Sequence, residues 1–294
     1  MIHDSIKNII YRKTKNKKNE NSNIHLLGLM NIELNLTELC NRKCSFCPRN
    51  NSKIYPNQNL NMEVQTAINI KKNLKKNNYK NEISIAGFGE PLLNKNFLKI
   101  LNIFSNSFFT ELISNGDVLK KNNTLINRIF KTKIGMLTIN CYDDKNQVIF
   151  FKEKLKSYKG RFRIRTLFDT GEKHLLDLYS FNNRGGSLYK QNSLKRECYL
   201  PFYKAFIDWN GDVRLCCNDW LRKHEVLGNV NKEDISKIWN SEKLNFVRKN
   251  LIHKHRKKIN PCNKCSVNGK LIGKESFESF KKKLNEVPSG FEPL

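Results

Sequence analysis

Cys40, Cys44 and Cys47 stand in the stretch Leu39-Cys40-Asn41-Arg42-Lys43-Cys44-Ser45-Phe46-Cys47-Pro48, directly after an alternating apolar segment. Cysteine thiolates are the usual ligands of iron–sulfur clusters, and a cubane cluster has four irons. Three thiolates from one loop leave one iron with an open position for an outside molecule. The other chemistry open to such a loop is a zinc site of three cysteines and one histidine, but the next histidine downstream is His174. A second set, Cys198, Cys216, Cys262 and Cys265, is complete at four. It suits a fully ligated iron–sulfur cluster or a four-cysteine zinc site. Cys217 adjoins Cys216, yet neighbouring side chains on a strand face opposite ways, so only one of the two joins the set. Cys141 reads as a small buried hydrophobe.

The elements around these residues alternate. A strand over Asn31–Leu36 delivers the cysteine loop at its C-terminal end. A helix over Met62–Lys75 precedes the strand Ile83–Ala86, which ends in Gly87-Phe88-Gly89-Glu90-Pro91. A helix over Asn96–Phe104 leads to the strand Leu112–Ser114 and the turn Asn115-Gly116. Helices near Asn123–Phe130 and Gln147–Leu155 precede the strands Met136–Cys141 and Phe162–Phe168. Five strand–helix units predict a parallel sheet with helices outside, an α/β partial (β/α) barrel. The cysteine loop, Glu90, Asn115 and Asn140 all fall at or just past strand C-termini, where barrels carry their chemistry. Past Cys198 the pattern changes. Residues 205–216 read as a hairpin around Asn210-Gly211, followed by short helices and the Cys262-Asn263-Lys264-Cys265 run, a small α+β unit. The predicted division is 1–30 polar extension, 31–190 barrel, 191–272 cysteine-organised domain, and 273–294 C-terminal helix and tail.

The chain carries 54 Lys and Arg against 27 Asp and Glu, a formal charge of +27. The excess is scattered over helix faces and forms no basic stripe, so nucleic acid is not an expected partner. There is no apolar leader at the start and no apolar run of 18 residues, which predicts no membrane span. Clustered cysteines in such a chain fit metal binding in the cytoplasm better than disulfides.

The first cysteine loop resembles the signature of the radical S-adenosylmethionine (radical SAM) superfamily, where the methionine end of the cofactor chelates the open iron of a 4Fe–4S cluster. The resemblance extends along the barrel. Phe46 takes the place of the family's aromatic residue near the adenine. Phe88-Gly89-Glu90-Pro91 is similar to the family's GGE motif, with Phe88 in place of the commoner glycine. That likeness implies that Glu90 receives the cofactor ammonium and that Gly89 permits a close backbone approach. Ser114 and Asn115 match a polar third-strand motif near the cofactor. Asn140 and Arg165 are implied contacts for the ribose and carboxylate. The four later cysteines, with Gly228-Asn229-Val230 and Ile238-Trp239-Asn240 between them, resemble the shortened "twitch" form of the SPASM domain, which holds one auxiliary 4Fe–4S cluster; its pattern selects Cys216 over Cys217.

Between the two regions lies Asn182-Asn183-Arg184-Gly185-Gly186. This run is similar to one in radical SAM dehydrogenases that oxidise a hydroxyl of 2-deoxy-scyllo-inosamine, and there its arginine contacts substrate, a role implied for Arg184. A fully ligated second cluster is suited to electron transfer. The expected activity is therefore oxidation of a sugar or cyclitol alcohol to a ketone, fed by an external electron donor such as flavodoxin or ferredoxin. The competing readings are a peptide-modifying SPASM enzyme, a basic RNA-binding or RNA-modifying protein, and a non-catalytic zinc protein.

Overall fold

In the computed structural model the described residues are 24–167 and 182–285. Residues 1–23 of the proposed extension therefore lie outside them, as do Phe168, the end of the fifth predicted strand, and the tail beyond 285, whereas Leu26, Leu29 and Met30 are buried in the core. Five strands follow the expected order: β1 Asn31–Asn35, β2 Glu82–Ala86, β3 Thr110–Ser114, β4 Met136–Cys141 and β5 Phe162–Thr166. All neighbours among them pair in parallel.

Each strand divides its residues between two environments, as the pleat demands. Ile32 and Leu34, Ile83 and Ile85, Leu137 and Ile139 join the main apolar core. The alternate positions include the polar Asn31, Glu33, Ser84, Glu111, Thr138 and Asn140. Asn31 donates to Ser84 at 2.8 Å, Thr138 donates to Glu111 at 2.6 Å, and Arg163 pairs with Glu111 at 3.8 Å. The outer layer is made by helices whose apolar residues recur every three or four positions. α1, Val64–Lys76, buries Ala67, Ile70 and Leu74; α2, Phe97–Ser105, buries Phe97, Ile100, Leu101 and Phe104. A short α3, Asp117–Lys121, follows β3 and was not marked in the sequence pattern. α4, Asn123–Phe130, and α5, Lys145–Lys156, begin with side-chain caps, Asn122 accepting from the Leu125 amide and Asp144 from the Gln147 amide.

The region after Cys198 does not stand apart from the barrel. After a short helix α6, Leu200–Tyr203, strand β6, Lys204–Ile207, pairs in parallel with β1 and becomes the sixth parallel strand of the same sheet. The predicted hairpin then forms: β7, Asp212–Arg214, runs antiparallel to β6, and β8, Gly228–Asn229, antiparallel to β7. The order is β5-β4-β3-β2-β1-β6-β7-β8. Helices α7, Ile235–Trp239, α8, Glu242–Ile252, and α9, Lys274–Asn285, close this side, with Phe277 and Phe280 of α9 packed on Phe202. No helix among the described residues is long and apolar enough to cross a membrane.

Candidate active site

One cavity opens at the C-terminal ends of the strands. Its volume is about 220 Å³. Cys40, Cys44, Phe46, Cys47, Gly89, Glu90, Ser114, Asn115, Asn140 and Arg184 all line it. Arg165 does not. It reaches the site through Asn140, whose Oδ1 accepts from the Arg165 Nε at 2.7 Å.

The cysteine loop is held from two sides. In front, Arg42 forms a fork of bonds to Asp117 and Asp143, 2.5 to 2.9 Å long, and its guanidinium lies 5.5 Å from the Tyr142 ring centre. Hydrogen bonds to these two carboxylates hold the guanidinium more firmly charged, and the bond to Arg42 pulls the Asp143 carboxyl below its ordinary range. Tyr142, in the cavity wall, has its ring centre 5.6 Å from that of Phe46, so two aromatic faces flank the opening. Neither Arg42 nor Tyr142 was singled out from the sequence. The available signal was an arginine inside the cysteine loop and an aspartate just past the ends of both β3 and β4.

Behind the loop runs a buried ionic network. Glu38, 1% exposed, accepts from Arg49 at 2.9 Å, Tyr55 at 2.7 Å, Asn35 at 2.8 Å and from Arg222. Arg222 also holds Asp208, at 2.8 Å. Two carboxylates thus meet two guanidinium groups, and the segment that carries the first cysteines is tied to the segment just after Cys216 and Cys217.

Glu90 is 3% exposed. Its Oε1 accepts from the Ser114 hydroxyl at 2.8 Å and the Leu92 amide at 3.2 Å, and its Oε2 from the Asn115 amide at 2.8 Å. Burial pushes its carboxyl up to about 7 against these bonds. Asn115 also braces the cysteine loop through Asn41, at 2.9 Å. Gly89 is required for a chain-on-chain reason. A Cβ there would lie 2.1 Å from the Thr37 carbonyl oxygen and 2.6 Å from that of Leu39, while the neighbouring Glu90 amide donates to Leu39 at 2.8 Å. Gly89→Ala is therefore expected to destabilise the protein by about 1–3 kcal/mol through overpacking. Chemical denaturation checks this; an unchanged midpoint would contradict it.

The second cysteine set also assembles. Cys198, Cys216, Cys262 and Cys265 are all buried and within electrostatic reach of one another. Cys217 lines the cavity instead, although β7 ends at Arg214 and neither Cys216 nor Cys217 lies on a strand. Burial pushes all four thiols up, and backbone amides oppose it at two of them, Asn218 donating to Cys216 and Val267 to Cys265, each at 3.4 Å. Arg256, 1% exposed, adds a cation whose fork is satisfied by the carbonyls of Arg196, Glu197, Val267 and Asn268. It lowers the cost of thiolates at Cys198, Cys262 and Cys265. Among the described residues, no three thiols or carboxylates are gathered around a single metal ion.

Arg184 sits in a turn pinned to this region. Asn183, fully buried, donates to the carbonyls of Tyr189 and Lys264 and exchanges two bonds with Ser266. Arg184, Gly185 and Gly186 all have positive φ, and a Cβ on Gly185 would meet the Asn218 carbonyl oxygen at 2.4 Å. The turn thus fits only against the auxiliary cysteine loops, and it delivers Arg184 to the cavity.

Residues 34–170 match the model of the radical SAM superfamily, and residues 198–266 match that of SPASM, an iron–sulfur cluster-binding domain. The chain is 26% identical over 243 residues to the S-adenosyl-L-methionine-dependent 2-deoxy-scyllo-inosamine dehydrogenase of Niallia circulans, covering 80% of this chain and 92% of that protein. Among solved structures it is similar to BtrN in complex with AdoMet and 2-DOIA, with a TM-score of 0.65 and 23% identity over 82% of this chain and 94% of BtrN. It is also similar to BtrN in an open conformation, with a TM-score of 0.59 and 22% identity over 81% and 92% of the two chains. Residues 34–170 thus carry a radical SAM domain and residues 198–266 a SPASM domain, and together these imply an enzyme whose cofactors are S-adenosylmethionine, the 4Fe–4S cluster that binds it, and an auxiliary cluster.

Proposed function

We propose that this enzyme oxidises a secondary alcohol of a sugar or cyclitol to a ketone. The observation that carries the reading is the placement of Arg184, braced against the auxiliary cysteine loops yet lining the cavity that the first three cysteines also line. A substrate held there lies between the two cysteine sets. The Niallia circulans relative, named for the oxidation of a cyclitol, supports the same reading.

Cys40, Cys44 and Cys47 are the proposed ligands of the first cluster, and Cys198, Cys216, Cys262 and Cys265 those of the auxiliary one. When bound, the cofactors would supply hydrogen-atom abstraction at the carbinol carbon by way of a 5′-deoxyadenosyl radical, and an acceptor for the electron left as the hydroxyl proton departs. The chain's own residues bind and orient. Glu90 receives the ammonium of S-adenosylmethionine with Ser114 and Asn115 fixing its carboxylate, Phe46 and Tyr142 flank the adenine, and Asn140, held by Arg165, meets the ribose. Arg184 positions the substrate oxygen. The residue boundaries 31–190 and 191–272 separate the two proposed cysteine sets, while β6, Lys204–Ile207, belongs to the barrel sheet. The initial electron comes from an external donor such as flavodoxin or ferredoxin, in the cytoplasm.

Ketone and 5′-deoxyadenosine are expected in equal yields; a product with no net oxidation would reject the reading. Glu90→Gln keeps the shape of the site and removes the charge. A charge-assisted hydrogen bond contributes about 1.5–3 kcal/mol, so the affinity for S-adenosylmethionine should fall roughly 10- to 100-fold. Equilibrium binding to the cluster-loaded protein measures this, and unchanged affinity would remove Glu90 from the ammonium site.

A further inference from the structure

The cavity has a second charged wall, built from strands that the sequence separates widely. Glu33, at the centre of β1, is an inward-pointing residue and lines the cavity. Lys204 begins β6, the strand paired beside β1, and its ammonium meets the Glu33 carboxylate at 2.5 Å. Both side chains are nearly buried, at 8% and 12% exposure. Arg184 stands close by, and the Cys217 thiol feels all three charges. Two donors in this wall lack an acceptor: the Nε of Arg184, and the Nε1 of Trp220, which is 6% exposed.

A lone carboxylate in a cavity is a receptor for ammonium. Here that carboxylate is already answered from within the chain by Lys204, behind the cavity surface, and the Arg184 guanidinium lines the same cavity. An incoming ammonium would meet a neutralised carboxylate beside a guanidinium in a partly desolvated site, where like charges repel strongly. A hydroxyl meets no such cost. It donates to Glu33, which lines the cavity.

We propose that the substrate presents oxygen acceptors, and no ammonium, to the Glu33–Lys204 wall, and that Lys204 is the residue that turns amino-substituted rings away. The proposal rests on the alcohol-oxidising reading and narrows its substrate to polyols that carry hydroxyl or carboxylate groups at this end.

The test is binding without turnover. Holoenzyme loaded with both clusters and S-adenosylmethionine, kept unreduced, is titrated with 2-deoxy-scyllo-inosamine and with the deoxycyclitol that has a hydroxyl in place of its amine. The wild type should bind the hydroxyl ring about tenfold or more tightly than the amine. Lys204→Met exposes the Glu33 charge and should shift that ratio at least about tenfold toward the amine. The double variant Glu33→Gln/Lys204→Met carries a neutral wall, guards against misfolding from an uncompensated carboxylate, and should bring the ratio near one. A wild-type preference for the amine, or a ratio that Lys204→Met leaves unmoved, overturns the inference; if reduced enzyme still makes ketone, the alcohol-oxidising reading survives it. Absence of binding by either ring, together with absence of ketone, removes both.

Discussion

Cys44→Ala is expected to abolish reductive cleavage of S-adenosylmethionine and to lower bound iron and sulfide, with the fold retained. A cubane with three protein thiolates has no ligand to spare, because the fourth iron is the one left for the cofactor. The loop itself does not depend on the cysteine sulfur. Arg42 clamps it to Asp117 and Asp143, and Asn115 to Asn41, whether or not Cys44 is present. Cys141→Ala is the matched control. Cys141 is fully buried in the apolar core on the outer face of β4 and stands clear of the cavity wall, so its loss should cost modest stability and no iron. Iron and sulfide assays with 5′-deoxyadenosine quantification separate the two. Equal iron loss in both variants, or full activity in Cys44→Ala, would contradict the assignment.

Glu38→Ala should be the most damaging single change outside the cysteines. It leaves Arg49, 4% exposed, without its carboxylate and deprives Arg222 of one of two. Removing one partner of a buried ion pair costs about 3–5 kcal/mol because the remaining charge has no water to return to. For a protein of this size that corresponds to a fall in Tm of roughly 10 °C. The damage should also reach the chemistry, since the network ties the strand leading into the first cysteine loop to the segment that follows Cys216. Thermal denaturation of Glu38→Ala and Glu38→Gln checks the magnitude. A loss under about 1 kcal/mol would mean that the network behaves like a surface pair.

The parts of this molecule that were legible in the sequence are those set by local pattern. The five parallel strands and most of the outer helices follow from apolar periodicity, and the hairpin from Asn210-Gly211, each within a few residues of the observed bounds. The cysteine sets and Glu90 were legible because spacing and position after a strand are local properties. What escaped is everything decided by topology. Strand β6 reads as part of a separate unit, because nothing in Lys204–Ile207 announces that it will lie beside β1. The Glu33–Lys204 pair spans 171 positions and the Glu38–Arg222 pair 184, and each exists only because the sheet continues past β1 in that direction. Charged residues inside a barrel also look, in sequence, like the solvated faces that a chain so rich in lysine has in abundance. Gly89 was assigned to an approach of the cofactor, whereas the crowding around it comes from the carbonyls of Thr37 and Leu39.

The open position on the first cluster is tested most directly by reducing the anaerobically reconstituted wild-type protein in the presence of S-adenosylmethionine and counting products. Methionine and 5′-deoxyadenosine should appear in equal amounts, and a polyol substrate should raise their rate. A protein carrying its full iron and sulfide that leaves S-adenosylmethionine intact under reduction, with polyol present, would contradict the placement of a cofactor-binding cluster on Cys40, Cys44 and Cys47.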